Sequence, residues 1–241
     1  MIKQLIAVRR RPGLTHQECL DYVEHVHGEI ARGGPEGLLR YVQSHVFDSA
    51  FGAATDSEYQ QVFGRDFVTE LYFESPQTMH TNGESEYVRT VVQPDETMFN
   101  EVASVMLGTT AETEVPVPHP GPGPVKVMHF LKKADGLADE DFQQQLAEAH
   151  AALLAQQPAM AAALRRYVLS LPIPAIGTDA KYFGPSRGGR YEPVASMWFE
   201  DEAALGAFRA YQRALASGAG AAFIDFSQSF FLYTRERVII G

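Results

Sequence analysis

The chain writes one pattern twice, and that repeat limits what it can fold into more than any other feature. Gly13-Leu14 matches Gly136-Leu137, and His27 matches His150, each pair 123 residues apart. Arg40-Tyr41-Val42 matches Arg166-Tyr167-Val168, and Leu71-Tyr72-Phe73-Glu74 matches Met197-Trp198-Phe199-Glu200. A period this long is too large for a solenoid and indicates two copies of one small domain. Chemistry is then to be sought where the copies differ as well as where they agree.

Each copy reads β-α-β-β-α-β. In the first, Ile2 to Val8 is a strand ended by Pro12-Gly13. Thr15 and Glu18 form the Thr-x-x-Glu capping box of a helix start, and Cys19, Val23, His27 and Ile30 recur at helical spacing. Residues 38–47 and 67–73 read as strands, Ser75-Pro76 opens a second helix, and 101–107 reads as the fourth strand. The second copy repeats the order over 125–132, 140–156, 165–171, 194–199, 202–216 and 226–233. Residues 115–124 place proline at every second position, with Gly121 and Gly123 between the last of them, so they cannot join a helix or central strand. The division is therefore 1–112, a linker at 113–124, and 125–241.

That order is the ferredoxin-like unit, an α+β fold with helices on one sheet face only. The other face needs cover. Two units on one chain can cover each other, giving an intrachain pseudo-twofold α/β barrel. Loops 48–66 and 172–193 are each about 20 residues, a length often found in lids and binding loops.

Composition narrows the partners. A net charge of −10 argues against nucleic acid or an anionic membrane. One cysteine excludes an intrachain disulfide, and no run reaches the ~20 apolar residues of a membrane span. The expected setting is cytoplasmic, with a small molecule as partner and room for a homodimer of the fused chain.

His27 ends an apolar ridge with Cys19 and Val23, as His150 does with Phe142 and Leu146. Such a histidine either fills a core or stands at a pocket rim, where its ordinary pKa of ~6.5 suits proton transfer. His25 points away from His27, and no His/Asp/Glu set has metal-ligand spacing, so no metal site is expected. On the second strand Tyr41, Gln43 and His45 share a face. Glu70 and Tyr72 share the face of the third strand away from the helices. His45, Glu70 and Tyr72 are expected on one inner surface, either as a pocket or as a bonded barrel interior. In the second copy the counterparts are Tyr167, Leu169, Leu171, Ser196 and Trp198. Loss of these polar positions suggests one active pocket, in the first half, lined by His27, Tyr41, His45 and Glu70.

Arg11-Pro12-Gly13-Leu14-Thr15, Tyr22, His27, Arg40-Tyr41-Val42-Gln43-Ser44-His45 and Glu70-Leu71-Tyr72-Phe73 resemble the EthD-like family of the dimeric α/β-barrel superfamily. The second copy matches more loosely, so the chain resembles a tandem fusion. The resemblance implies acid–base chemistry without metal or organic cofactor: dehydration, cyclisation, isomerisation or decarboxylation of a small ketone, lactone or aromatic polyketide-like compound. It implies His27 as general acid or base, and Tyr41 as orienting group or enolate donor. His45 and Glu70 would supply a second proton-transfer group. Gln43, Tyr72, His150, Tyr167 and Trp198 would contact substrate. Wider relatives leave open a cofactor-free oxygenase of quinol-like substrates, haem binding, or a binder without turnover.

Overall fold

The computed structural model describes residues 1–34, 37–51, 64–173 and 193–241. Strand β1 (Ile2–Val8) leads to α1 (His16–Tyr22), a π-helical turn (Val23–His27) and α2 (Gly28–Arg32). Then come β2 (Leu38–Phe51), β3 (Phe67–Phe73), α3 (Pro76–Gly83), a second π-helical turn (Val88–Val92), α4 (Gln93–Glu96) and β4 (Met106–Val115). The second copy contains β5 (Val125–Phe130), α5 (Asp139–Gln156), α6 (Pro158–Ala163), β6 (Leu164–Pro172), β7 (Val194–Phe199), α7 (Leu205–Ser217) and β8 (Phe230–Ile240).

Local chemistry sets these elements. Thr15 and Glu18 close the capping box on α1. Ser75 caps α3, and Pro76 occupies its first turn. Gly13 and Gly136 take the same left-handed turn in the two copies, with φ of 96° and 79°, a conformation a side chain would strain.

The strands close into one antiparallel barrel, in the order β1-β3-β2-β8-β5-β7-β6-β4. Each copy contributes four neighbouring strands in the equivalent order, β4-β1-β3-β2 and β8-β5-β7-β6. The copies join where β2 pairs with β8 and β4 with β6, which leaves no free sheet edge. The expected fusion of two ferredoxin-like units into a barrel is what the structure shows.

Two expected strands move. Only the end of 101–107 belongs to the fourth strand: Ser104 N–H donates to the Glu101 carbonyl in a tight turn, and β4 starts at Met106 and runs past 112 into the expected linker. In the second copy the last strand starts at Phe230, because Asp225 accepts hydrogen bonds from Ser227 and Gln228 and holds them in a turn. Most of loops 48–66 and 172–193 lies outside the described residues.

The barrel interior has two zones. Leu5, Ala7, Val46, Val68, Met128, Phe130 and Leu232 pack its apolar end. Lys3, Ser44, Glu70 and Lys126 fill the other and are all buried. The helix-facing sides differ between copies. The second has one continuous core, including Phe142, Leu146, Tyr167, Leu169, Phe208 and Tyr211. The first has two smaller clusters, one around Val23, Phe67 and Phe99 and one around Phe73 and Met79. A cavity borders both.

Candidate active site

The cavity lies between the first-half sheet and its helices. Gln4, Ile6 and Val8 of β1, Tyr41 of β2, and Thr69 and Leu71 of β3 form its floor. His27, Val88, Val92, Glu96, Phe99 and Asn100 form its helical side. Water-sized spheres can place their centres through about 80 Å³ of it, several times the ~10–15 Å³ that one water needs. Both π-helical turns border this space, His27 on one and Val88 and Val92 on the other. Such turns are often found at functional sites.

His27 is buried, and its ring lies 4.7 Å from that of Phe99. Its Nδ1 is 2.8 Å from an Asp95 carboxylate oxygen. The Tyr22 hydroxyl donates to the other Asp95 oxygen at 2.6 Å. A carboxylate only accepts, so the neutral ring donates through Nδ1–H and keeps its lone pair on Nε2. Nε2 makes no hydrogen bond to a described residue. Burial lowers the His27 pKa, and Asp95 opposes that shift without cancelling it. The ring is therefore largely neutral at pH 7.

Glu96 follows Asp95 in α4 and faces the same cavity. Burial, and then the neighbouring Asp95 charge, push its carboxyl up to about 8. Among the described residues no lysine or arginine lines the cavity. At pH 7 the site thus offers a neutral base and a protonated acid, two groups whose surroundings move their pKa values apart. Tyr41 is fully buried, and burial pushes its hydroxyl up to about 12, so it stays a neutral hydrogen-bonding group.

Of the residues expected in one pocket, the structure brings His27 and Tyr41 together and separates the others. Glu70 is on the opposite sheet face, because it pairs across β2–β3 with Val42 while Tyr41 pairs with Leu71. Inside the barrel Glu70 binds Lys3 at 3.1 Å and also binds Lys126. Burial would raise its pKa, but the two ammonium groups outweigh that and hold it well below the usual carboxylate range. His45 is not on an inner surface with Glu70 and Tyr72. It shares the helix-facing side with Tyr41 but does not line the cavity, and its Nε2 is 3.0 Å from the Gln43 side-chain oxygen. Gln43 is fully buried beneath the helix, without access to the cavity.

Tyr72 and Trp198 also belong to the barrel's polar end. The Tyr72 hydroxyl donates to Glu112, and Lys126 lies 4.8 Å from the Trp198 ring centre. His150 and Tyr167 are in the second-half core, where His150 Nδ1 lies 3.0 Å from the Tyr211 hydroxyl and Nε2 has no partner. His25 is exposed, as its spacing indicates. Two arginines that follow β1 are tied down, Arg10 to Asp66 and Arg9 to Glu101. Among the described residues no group of three or more His, Cys, Asp or Glu side chains could hold a metal. No helix there is long and apolar enough to cross a membrane.

Sequence reasoning missed Tyr22's hydrogen-bonding role, Asp95 and Glu96. Asp95 is 68 residues from His27, and it stands at the end of the helical stretch that runs on from the Val88–Val92 turn through α4. The adjacent acidic pair after a proline was the only local sign.

An EthD domain model matches residues 11–103 and again 134–227. Comparison with curated proteins gives no significant match. Among solved structures, an anthrone oxidase-like protein aligns over 99% of this chain and 92% of its own, at TM-score 0.63 and 12% identity. A monooxygenase candidate from Lactobacillus acidophilus aligns over 98% and 94%, at TM-score 0.50 and 9% identity. A chlorite dismutase variant from Candidatus Nitrospira defluvii aligns over 99% and 92%, at TM-score 0.53 and 10% identity. At these identities the likeness is one of fold.

Proposed function

The chain belongs to the EthD family, and from that premise we propose that its first half is a cofactor-independent acid–base enzyme of the lyase or isomerase type. The observation that carries the reading is the His27–Asp95 pair, with Nδ1 committed to the carboxylate and Nε2 left for a ligand in a cavity that also holds Glu96. His27 Nε2 takes a proton from a C–H beside a carbonyl, or from a phenol. Asp95 stabilises the imidazolium that forms. Protonated Glu96 donates to the oxygen on which charge develops. Tyr41 adds a neutral hydroxyl to the floor.

The same features select an uncharged substrate. Among the described residues the cavity has no lysine or arginine to pair with an anion, and Asp95 repels one. A small ketone, lactone or aromatic polyketide-like compound fits that requirement. Dehydration, cyclisation and isomerisation can each start from that proton transfer, whereas decarboxylation starts from a carboxylate, which this cavity disfavours.

Incubation with a panel of enolisable ketones, lactones and phenols in D₂O, followed by proton NMR, tests this. We expect deuterium to enter the acidic C–H position of at least one compound, and His27→Ala to abolish that entry. Exchange that persists in His27→Ala would remove the histidine from the chemistry. Saturable binding without exchange would point to a non-catalytic binder. Oxygen consumption with a quinol-like compound would replace the lyase or isomerase reading with an oxygenase.

A further inference from the structure

We propose that Gln43 is a positioning residue for His27, holding open the widened helical turn on which that histidine stands. Its consequence for catalysis rests on the reading of His27 as base; the geometric part stands apart from it.

Across Val23–His27 the backbone ladder widens, and the Gly28 N–H donates to the Val23 carbonyl five residues back. The Gln43 side-chain amide donates to the same carbonyl at 2.7 Å and to the Tyr41 hydroxyl at 2.9 Å. The Gln43 oxygen can only accept, so His45 meets it with Nε2–H, at 3.0 Å. The Val23 carbonyl, which can only accept, decides that the nitrogen end of the amide faces the helix. Gln43 has no exposed surface, so water does not compete for these bonds. A side chain inserted at a helix carbonyl disturbs the regular four-residue ladder, and a widened turn accommodates the second donor.

The second copy is an internal control. It has Leu169 for Gln43 and Leu171 for His45. Its helix α5 runs as regular α-helix from Asp139 to Gln156, straight through His150. His150 then meets a tyrosine hydroxyl instead of a carboxylate. The amide and the widened turn occur together in one copy and are absent together from the other.

The test is histidine-ring NMR of the ¹⁵N-labelled full chain, wild type against Gln43→Leu and His45→Phe. Gln43→Leu imports the residue the second copy tolerates. In the wild type we expect the His27 ring as the Nδ1–H tautomer. In Gln43→Leu it should become a mixture of tautomers with a shifted titration midpoint, and His45→Phe should show a smaller change of the same kind. With a turned-over substrate, kcat of Gln43→Leu should fall ~10–10²-fold with KM little changed, the signature of a misplaced group. A folded Gln43→Leu that keeps a pure Nδ1–H tautomer and the wild-type midpoint would overturn the proposal. If Gln43→Leu does not fold, an unchanged His27 ring in His45→Phe would overturn it. A changed tautomer with undiminished turnover would leave the positioning role intact and refute His27 as base.

Discussion

His27 and Glu96 define the residue scale, because their pKa values move in opposite directions inside one cavity. Burial lowers His27 and raises Glu96 to about 8. Activity should therefore rise on an acid limb below the ordinary histidine value, as His27 loses its proton, and fall on an alkaline limb near 8, as Glu96 ionises. Glu96→Gln cannot ionise, so it should slow the reaction and remove the alkaline limb; a pH–rate profile checks both. His27→Ala should lower turnover by ~10²–10⁴-fold, the range for a general acid or base. The spacing of Cys19, Val23 and His27 made the histidine legible in sequence. Its partner was not, because a contact between Asp95 and His27 depends on how two helical segments far apart in sequence pack together. Periodicity within either segment carries no record of that packing.

At the scale of elements, strand alternation was legible and the pairing of faces was not. Tyr41, Gln43 and His45 do share a side, and so do Glu70 and Tyr72. Placing those sides together required the register between β2 and β3, in which Tyr41 faces Leu71 and Val42 faces Glu70. The consequence is that Glu70 stabilises the barrel. Lys126 from the second copy meets Glu70 from the first, so this contact also joins the halves. Glu70→Gln removes the carboxylate that two buried ammonium groups share, leaving Lys3 with Glu112 and Lys126 with Glu236, and should cost about 1.5–3 kcal/mol, read by denaturant unfolding. The Glu70 pKa is depressed on folding, so its contribution is complete above the unfolded carboxylate value and is lost as pH falls through the folded one. His150 adds to acid sensitivity with a different origin. Burial lowers it to about 4, so stability falls as pH drops from ~6.5 toward that value. His150→Ala should cost ~2–4 kcal/mol through the hole it leaves in a dry core. Turnover at a permissive temperature should hardly change.

For the whole molecule, duplication explains both the barrel and its asymmetry. The repeat and the one-sided helices made the closed barrel readable from sequence. The substitution of Leu169 and Leu171 for Gln43 and His45 pointed to a drier second half. Among the described residues a continuous core surrounds His150, and a cavity lies beside His27. Strand ends were less legible, since β4 and β8 begin where side-chain-capped turns release the chain. The central claim is that one half carries the binding site while the other is filled. The most direct measurement follows the ring signals of His27 and His150 side by side by NMR while 2-naphthol, an uncharged phenol, is titrated into the intact protein. The account predicts a saturable shift at His27 with His150 unmoved. Equal responses at both histidines, or a response at His150 alone, would contradict it.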